Sequence, residues 1–329
     1  MTDPSEIYER LSAEIETVLI GNEEIVEGLV VALLSNGHLL IEGVPGVAKT
    51  TVANLLARAS GLGFNRIQMT PDLLPADITG TEVYNRQSEE FRLQRGPVFS
   101  NLIVVDEVNR AMPKTQSALL EAMEERRVSI GNDTLKLPEP FMVVATQNPI
   151  EMEGVYELPE AQRDRFQLCY RIDLLDTADE RRVVDRFDAD PRLGPEDVES
   201  VVTPEEILSA QQTVEEVHVA GQAKDYLIDI VSATRASDEI SHGASTRATL
   251  MLLNAAKARA AVRGRSYVVP DDIMELIEPS LTHRLTLETD ADLSGRSVED
   301  VLNDLVANVP LPEADLTRDR TAGAETRDR

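Results

Sequence analysis

A parallel α/β sheet with helices on both faces, followed by a smaller all-helical domain, is the fold that this 329-residue sequence predicts. Three observations predict it. Between residues 38 and 172 short apolar runs alternate with helical segments, the pattern of strands joined by crossover helices. One of those runs leads directly into a glycine-bearing loop and a helix start. After Asp173 the strand-like runs stop and helical periodicity takes over. The length suits two domains with ample chain for a large core.

Taken in order, Ile7, Leu11, Ile15 and Val18 share one face at helical spacing and predict a helix over 5–19. Ile20, Gly21 and Asn22 break it. Asn22 is placed to cap a second helix, with Glu23 and Glu24 in the first turn and Ile25, Leu29 and Leu33 as its buried stripe. Residues 39–41 are strand-like, and Lys49 opens a helix reaching about Ser60. A strand over 65–69 follows. Residues 70–100 are mostly irregular, with a hairpin pairing 82–84 and 91–93; so long a segment inside a domain is usually functional or disordered. Residues 102–105 form a buried parallel-type strand ending in Asp106 and Glu107. A helix over 114–125, a hairpin over 128–137 turning at Gly131, Asn132 and Asp133, a strand over 141–146, a helix over 159–165 and a strand over 166–172 complete this half.

The second half predicts helices over 179–187, 204–217, 223–236, 246–262 and 270–281. Thr203 and Glu206 have capping-box spacing, and Gly264 suits a helix stop. The expected division is a core over 1–173 that includes the N-terminal helices, a helical domain over 174–309, and an acidic, disordered tail over 310–329.

Composition narrows the partners. The net charge is −27, and of 32 basic residues only five are lysine, so 27 are arginine. Such a surface repels nucleic acid and anionic lipid, and it repels itself unless concentrated salt screens it. Acid-rich, lysine-poor composition resembles proteins of salt-accumulating halophiles and raises the expectation of a halophilic, archaeal source. No run of 18 apolar residues exists and the N-terminus is polar, so neither a membrane span nor a signal peptide is expected, and the location expected is cytoplasmic. The single cysteine, Cys169, excludes an internal disulfide framework and reads as a buried thiol in a strand. His38, His218, His242 and His283 show no metal-ligand spacing.

The stretch 38–51, H-L-L-I-E-G-V-P-G-V-A-K-T-T, carries the chemistry. A strand, a glycine-bearing loop and a helix N-terminus make a phosphate cradle, because backbone N–H groups and the helix dipole converge on an anion. Gly43, Val44, Pro45, Gly46, Val47, Ala48, Lys49, Thr50 and Thr51 are the candidate nucleotide-binding residues. Lys49 would reach the β- and γ-phosphates and Thr50 would hold Mg²⁺ through its hydroxyl. Ala48 departs from the common motif by standing where a second glycine belongs, and it tolerates helical angles. Asp106 and Glu107 end a strand of the same sheet, so their carboxylates belong on the cradle's edge. Asp106 would hold Mg²⁺ through water, and Glu107 would orient or deprotonate an attacking water. Asn148, ending the next strand, would help position that water.

With these motifs in view the chain resembles the MoxR family of AAA+ ATPases, from about Glu6 to Leu285. G-V-P-G-V-A-K-T resembles that family's Walker A variant, alanine included, and V-V-D-E-V-N-R-A-M-P-K-T-Q-S-A-L-L-E-A-M-E-E-R its Walker B and following helix. A-T-Q-N-P-I-E-M-E-G-V-Y-E-L-P-E-A-Q-R-D-R-F resembles its sensor 1 and arginine-finger region, and G-A-S-T-R-A its sensor 2. Departures are Thr246, where proline is common, and Arg163, where an apolar residue is usual. The resemblance implies a P-loop NTPase core with a helical lid, ATP and Mg²⁺ as cofactors, Asn148 as sensor 1 and Glu107 as catalytic base. It further implies Arg247 as the lid's sensor 2 arginine, Ile20 and Gly21 against adenine, and Arg165 as a finger reaching a neighbour's nucleotide, with Arg163 as the alternative.

A finger acting in trans requires a head-to-tail ring, and the family is usually hexameric. The region 77–91 would be this clade's helix-2 insert and 127–137 the hairpin before sensor 1. The expected function is Mg²⁺-dependent ATP hydrolysis that remodels or activates a partner protein, in this family commonly one carrying a von Willebrand A domain. Rival readings are a metal-chelatase motor subunit, a DNA-dependent motor, which the acidic surface disfavours, and a nucleotide switch, which would have no need of Glu107.

Overall fold

The computed structural model describes residues 2–312 except 45, 48, 88, 149–155 and 157. Pro45, Ala48 and the expected tail beyond residue 312 therefore lie outside the described residues, as does most of the loop after Asn148.

Helix α1 (Pro4–Glu16) begins where the Asp3 carboxylate accepts from the backbone N of Ser5 at 2.9 Å. Helix α2 (Glu23–Leu34) starts after Asn22, but Asn22 makes no side-chain cap. Gly21 and Asn22 both adopt left-handed backbone angles, with φ +71 and +62. Asparagine thus serves here through its tolerance of that conformation, in place of the expected side-chain acceptor.

The sheet follows. Strands β1 (Leu39–Gly43) and β2 (Phe64–Gln68) flank α3 (Lys49–Ala59). The segment read as mostly irregular holds a short helix, α4 (Pro75–Thr79), and a hairpin of β3 (Gly80–Asn85) and β4 (Glu90–Arg95) with Tyr84 opposite Phe91. Then come β5 (Leu102–Asp106), α5 (Pro113–Glu125), the hairpin β6 (Arg127–Ile130) and β7 (Asp133–Lys136), β8 (Met142–Gln147), α6 (Glu160–Arg163) and β9 (Leu168–Ile172). Strands pair in the order β2-β5-β8-β1-β9, all parallel. Asp133 belongs to β7, opposite Ile130, so the hairpin turns at Gly131 and Asn132 alone.

Alternation along each strand sends side chains into two cores. Leu39, Ile41, Leu102, Val104, Met142 and Val144 face one; Leu40, Ile103, Val105, Val143 and Ala145 face the other. The second core is closed by α5, Ile78 of α4 and the β6–β7 hairpin. The first continues through α1, α2 and α3 into the helices that follow the sheet.

Those helices are α7 (Thr177–Ala189), α8 (Pro204–Glu215), α9 (Gly221–Ala236), α10 (Thr246–Val262), α11 (Pro270–Leu281), α12 (Thr289–Leu293) and α13 (Val298–Ala307). Thr203 and Glu206 form the expected capping box, and Gly264 follows α10 at φ +71. The helical half also contains a small antiparallel ribbon, β10 (Ile240–His242) with β11 (Thr286–Leu287), too short to leave a periodic signal. Asp272, fully buried, accepts from Arg259 at 3.0 Å and from both terminal nitrogens of Arg265 at 2.6 and 2.7 Å. No described helix is long and apolar enough to cross a membrane.

Candidate active site

Parallel strands end on one edge of their sheet, so the loops after β1, β5 and β8 meet there. The loop after β1 turns at Gly46, whose φ of +88 suits glycine and whose α-carbon faces open space. Lys49 opens α3 and its ammonium donates to the carbonyls of Gly43, Val44 (3.3 Å) and Gln147 (3.4 Å), so it bridges the loop and the end of β8. Val47 packs against the first core, and Thr51 lies half-buried in the first turn of α3.

Thr50 Oγ donates to Oδ1 of Asp106 at 2.7 Å. Thr146 donates to the same oxygen at 3.3 Å, while Arg66 Nε lies 2.6 Å from Oδ2. Asp106 is 4% exposed, so its charge needs these partners. Glu107 follows in a left-handed conformation at φ +55, a strained geometry for a residue with a side chain. Its backbone N donates to Thr146 Oγ at 3.1 Å, its Oε2 accepts from Gln68 Nε2 at 2.7 Å, and Arg110 Nε lies 3.2 Å from the same oxygen. Asn148 is buried at the end of β8, on the same edge. Beside the loop, burial holds the Glu42 carboxyl above its ordinary range, against the pull of Arg163 and Arg171.

A hydroxyl and a carboxylate in contact next to a phosphate loop are hard oxygen donors. That set fits Mg²⁺ bound together with phosphate oxygens and water. It does not form an all-protein cage: among the described residues no three acidic, histidine or cysteine side chains gather to hold a metal.

Ile20 is buried, and Gly21 approaches the start of α7 so closely that an added Cβ would lie 3.0 Å from Asp179 Oδ2 and 3.2 Å from Leu175 Cδ2. Because α7 follows the end of β9, Gly21 lies toward the cradle's edge.

Arg165 and Arg247 lie elsewhere. Arg165 precedes β9, and the neighbouring Gln167 donates its backbone N to His38 O at 2.8 Å, just before β1. Arg165 is therefore at the edge where strands begin, and Arg247 joins it there through Glu124, next to Met123, whose carbonyl meets His38 Nε2. A five-residue strand spans about 16 Å, which separates these arginines from the cradle of their own chain. There they converge on Glu124, at the end of α5. Arg165 Nε lies 2.9 Å from Glu124 Oε2 as an ion pair off the N–H axis, and Arg247 Nη2 donates to Oε1. Arg165 thus pairs with neither Asp164 nor Glu160, its nearest acidic neighbours in sequence. The structure brings Lys49, Thr50, Asp106, Glu107 and Asn148 together and leaves Arg165 and Arg247 across the sheet.

Sequence reasoning missed Arg66, Gln68, Thr146 and Glu124. Arg66 and Gln68 carried a signal, two polar residues at i and i+2 on a strand beside the one ending in Asp106.

Comparison with known proteins agrees with this geometry. Residues 38–168 match the ATPase family associated with various cellular activities (AAA), and residues 232–305 match an AAA lid domain. Chaperone MoxR1 of Mycobacterium tuberculosis is 43% identical over 314 residues, covering 93% of this chain and 82% of that protein. Protein MoxR of Methylorubrum extorquens is 29% identical over 336 residues, covering 95% and 97%. A crystal structure from Cytophaga hutchinsonii, of a protein named there as a candidate ATPase, superposes with a TM-score of 0.86 at 38% identity, covering 94% of this chain and 96% of its own. The 131-residue nucleotide core and its lid match by family, and the match to MoxR1 runs nearly the whole length: the chain belongs to the MoxR family of AAA+ ATPases.

Proposed function

We propose that this ATPase works as a Mg²⁺-dependent, head-to-tail ring, a hexamer in the family's usual form, that remodels or activates a partner protein. The observation that carries the ring is the separation of Arg165 and Arg247 from their own cradle by the length of a strand. Arginines so far from their own nucleotide serve hydrolysis by reaching a neighbour's, and only a heterologous interface repeats that contact around a closed ring.

In this reading Lys49 and the loop amides hold the phosphates, and Ile20 and Gly21 flank adenine. Thr50 and Asp106 hold Mg²⁺, which when bound neutralises charge on the β- and γ-phosphate oxygens. Glu107 takes a proton from the attacking water, with its carboxylate aimed by Gln68 and Arg110, and Asn148 orients that water. Arg165 and Arg247 complete the site from the adjacent subunit. The chain divides at about residue 173 into ATPase core and lid, with a tail from about 310.

Two observations support the partner reading. The Mycobacterium relative is named a chaperone. The β3–β4 hairpin exposes Tyr84 and Phe91, whose rings pack 5.3 Å apart, as an apolar grip for a protein. A partner carrying a von Willebrand A domain follows from the family alone. The acidic surface suits work in concentrated salt, inside the cell and away from nucleic acid.

The test is complementation. Lys49→Ala has an empty cradle and intact arginines; Arg165→Ala has the reverse. Each alone is expected to be nearly inactive, Lys49→Ala because it holds no ATP and Arg165→Ala because a finger is worth about 10³–10⁵ in rate. A re-assembled equimolar mixture should regain ATPase activity. Mixed rings no more active than the two variants alone would overturn the ring reading, and complementation by Arg163→Ala in place of Arg165→Ala would move the finger by two residues.

A further inference from the structure

We infer that Glu124 is the positioning residue for the arginines this subunit presents to its neighbour. The inference rests on the ring reading above. Glu124, Arg165 and Arg247 come from three separate segments: the end of α5, the loop before β9 and the first turn of α10. One carboxylate receives both guanidinium groups, Oε2 facing Arg165 Nε at 2.9 Å and Oε1 accepting from Arg247 Nη2. Two cations from different elements repel one another; a carboxylate between them cancels one charge and fixes their spacing.

The geometry is that of a support. Glu124 meets Arg165 on its Nε side, and among the described residues neither terminal nitrogen of Arg165 donates a hydrogen bond. The fork that binds a phosphate in bidentate fashion thus remains available, and the cluster keeps a net positive charge for an anion. Arg165 is about one quarter exposed, as a group must be that is aimed at another molecule.

The residues on either side are bolted in a matching way. Asp164 accepts from Arg284 Nε at 2.8 Å and from Ser245 Oγ at 3.0 Å. Arg284, buried, also donates to the backbone carbonyl of Phe166 at 2.6 Å. Ser245 caps α10, its hydroxyl accepting from Ala248 N at 3.3 Å. Asp164 therefore ties the finger segment to the lid, and Glu124 ties the pair to α5. That helix begins at Pro113, six residues after Glu107, and is anchored at its far end where Met123 O meets His38 Nε2 at 3.2 Å.

Glu124→Gln keeps the shape of the side chain and removes its charge. In assembled rings, checked by sedimentation, kcat for ATP should fall at least tenfold while KM stays within twofold, because each variant subunit keeps its own cradle. Mixed with Lys49→Ala, the variant should regain activity, since Lys49→Ala subunits supply well-held arginines to its intact sites. Mixed with Arg165→Ala it should not, since both lack the same surface. If Glu124→Gln does not assemble, the mixture with Lys49→Ala still decides, because a cradle-intact subunit rescued in mixed rings reports on the presented arginines alone. A wild-type or raised kcat overturns the inference, the latter by making Glu124 a brake. So does failure to complement Lys49→Ala where Arg165→Ala succeeds. If neither pair complements, the ring reading falls and takes this inference with it.

Discussion

Thr50 and Asp106 share a hydrogen bond of 2.7 Å between side chains 56 residues apart, one in the first turn of α3 and the other at the end of β5. Their contact makes one oxygen-rich point from two loops of the sheet edge, with Arg66 balancing the far oxygen of the carboxylate at 2.6 Å. If this point holds Mg²⁺, Asp106→Asn should raise the Mg²⁺ concentration for half-maximal hydrolysis at least tenfold. Nucleotide binding measured in EDTA should stay within about twofold, because Lys49 and the loop amides are untouched. A Mg²⁺ titration like that of the wild type would remove Asp106 from the metal site.

Glu107→Gln should separate binding from chemistry. The amide can still sit between Gln68 and Arg110, so the cradle keeps its form, but no base remains. Hydrolysis is expected to drop by about 10²–10⁴ while ATP affinity changes by no more than a few-fold. Steady-state ATPase and equilibrium binding on one preparation check this. Near-normal turnover contradicts the assignment.

Acid should destabilise the fold partly through His38. Its Nδ1 accepts from Val143 N at 3.0 Å, so the ring is neutral, and burial, then the Arg126 charge, lower its pKa from 6.5 to about 3. The unfolded chain then binds the proton first as pH falls. The histidine's contribution is whole above about pH 6.5 and is lost as pH falls toward 3, at roughly 1.4 kcal/mol per pH unit. His283, buried with its pKa also lowered, acts in the same direction. Denaturant unfolding between pH 7 and 4 should show a shallower pH slope for His38→Gln than for the wild type. Equal slopes would mean that His38 is not held neutral.

How much of this was legible in the sequence depends on how local each feature is. The cradle was, because glycine, lysine and threonine act within one loop and one helical turn. The strand ends carrying Asp106 and Asn148 were, because apolar runs announce strands and a parallel sheet gathers their ends. The Glu124 cluster was not: three residues at 124, 165 and 247 meet only after the sheet and lid have folded. Asn22 was legible as a break but not in its manner, since a left-handed residue and a side-chain cap look alike in sequence. Helix α13 left a signal that went unread, Ser297 and Asp300 at capping-box spacing ahead of Val301 and Leu302.

Salt should strengthen both fold and ring. At a net charge of −27 the surface repels itself, and the screening length shortens from about 10 Å at 0.1 M to about 3 Å at 1 M. The melting temperature and the assembled fraction are expected to rise between dilute buffer and molar KCl. A melting temperature independent of KCl over that range would contradict it.

Helix α1 packs against α2, α3, α8 and α10, and Arg10 reaches across to Glu206 at 2.9 Å. Its leucine and isoleucines belong to the same apolar cluster as the sheet face and the lid. The first turns of the chain thus act as a suture between two halves that the linear order keeps apart. Thermodynamically, core and lid form one cooperative unit, because parting them would bare α1 on both sides. A single cut by protease at the exposed residues 190–192, just after α7, would leave a nicked molecule whose fragments still travel together, and deleting the first sixteen residues would do more damage than that cut.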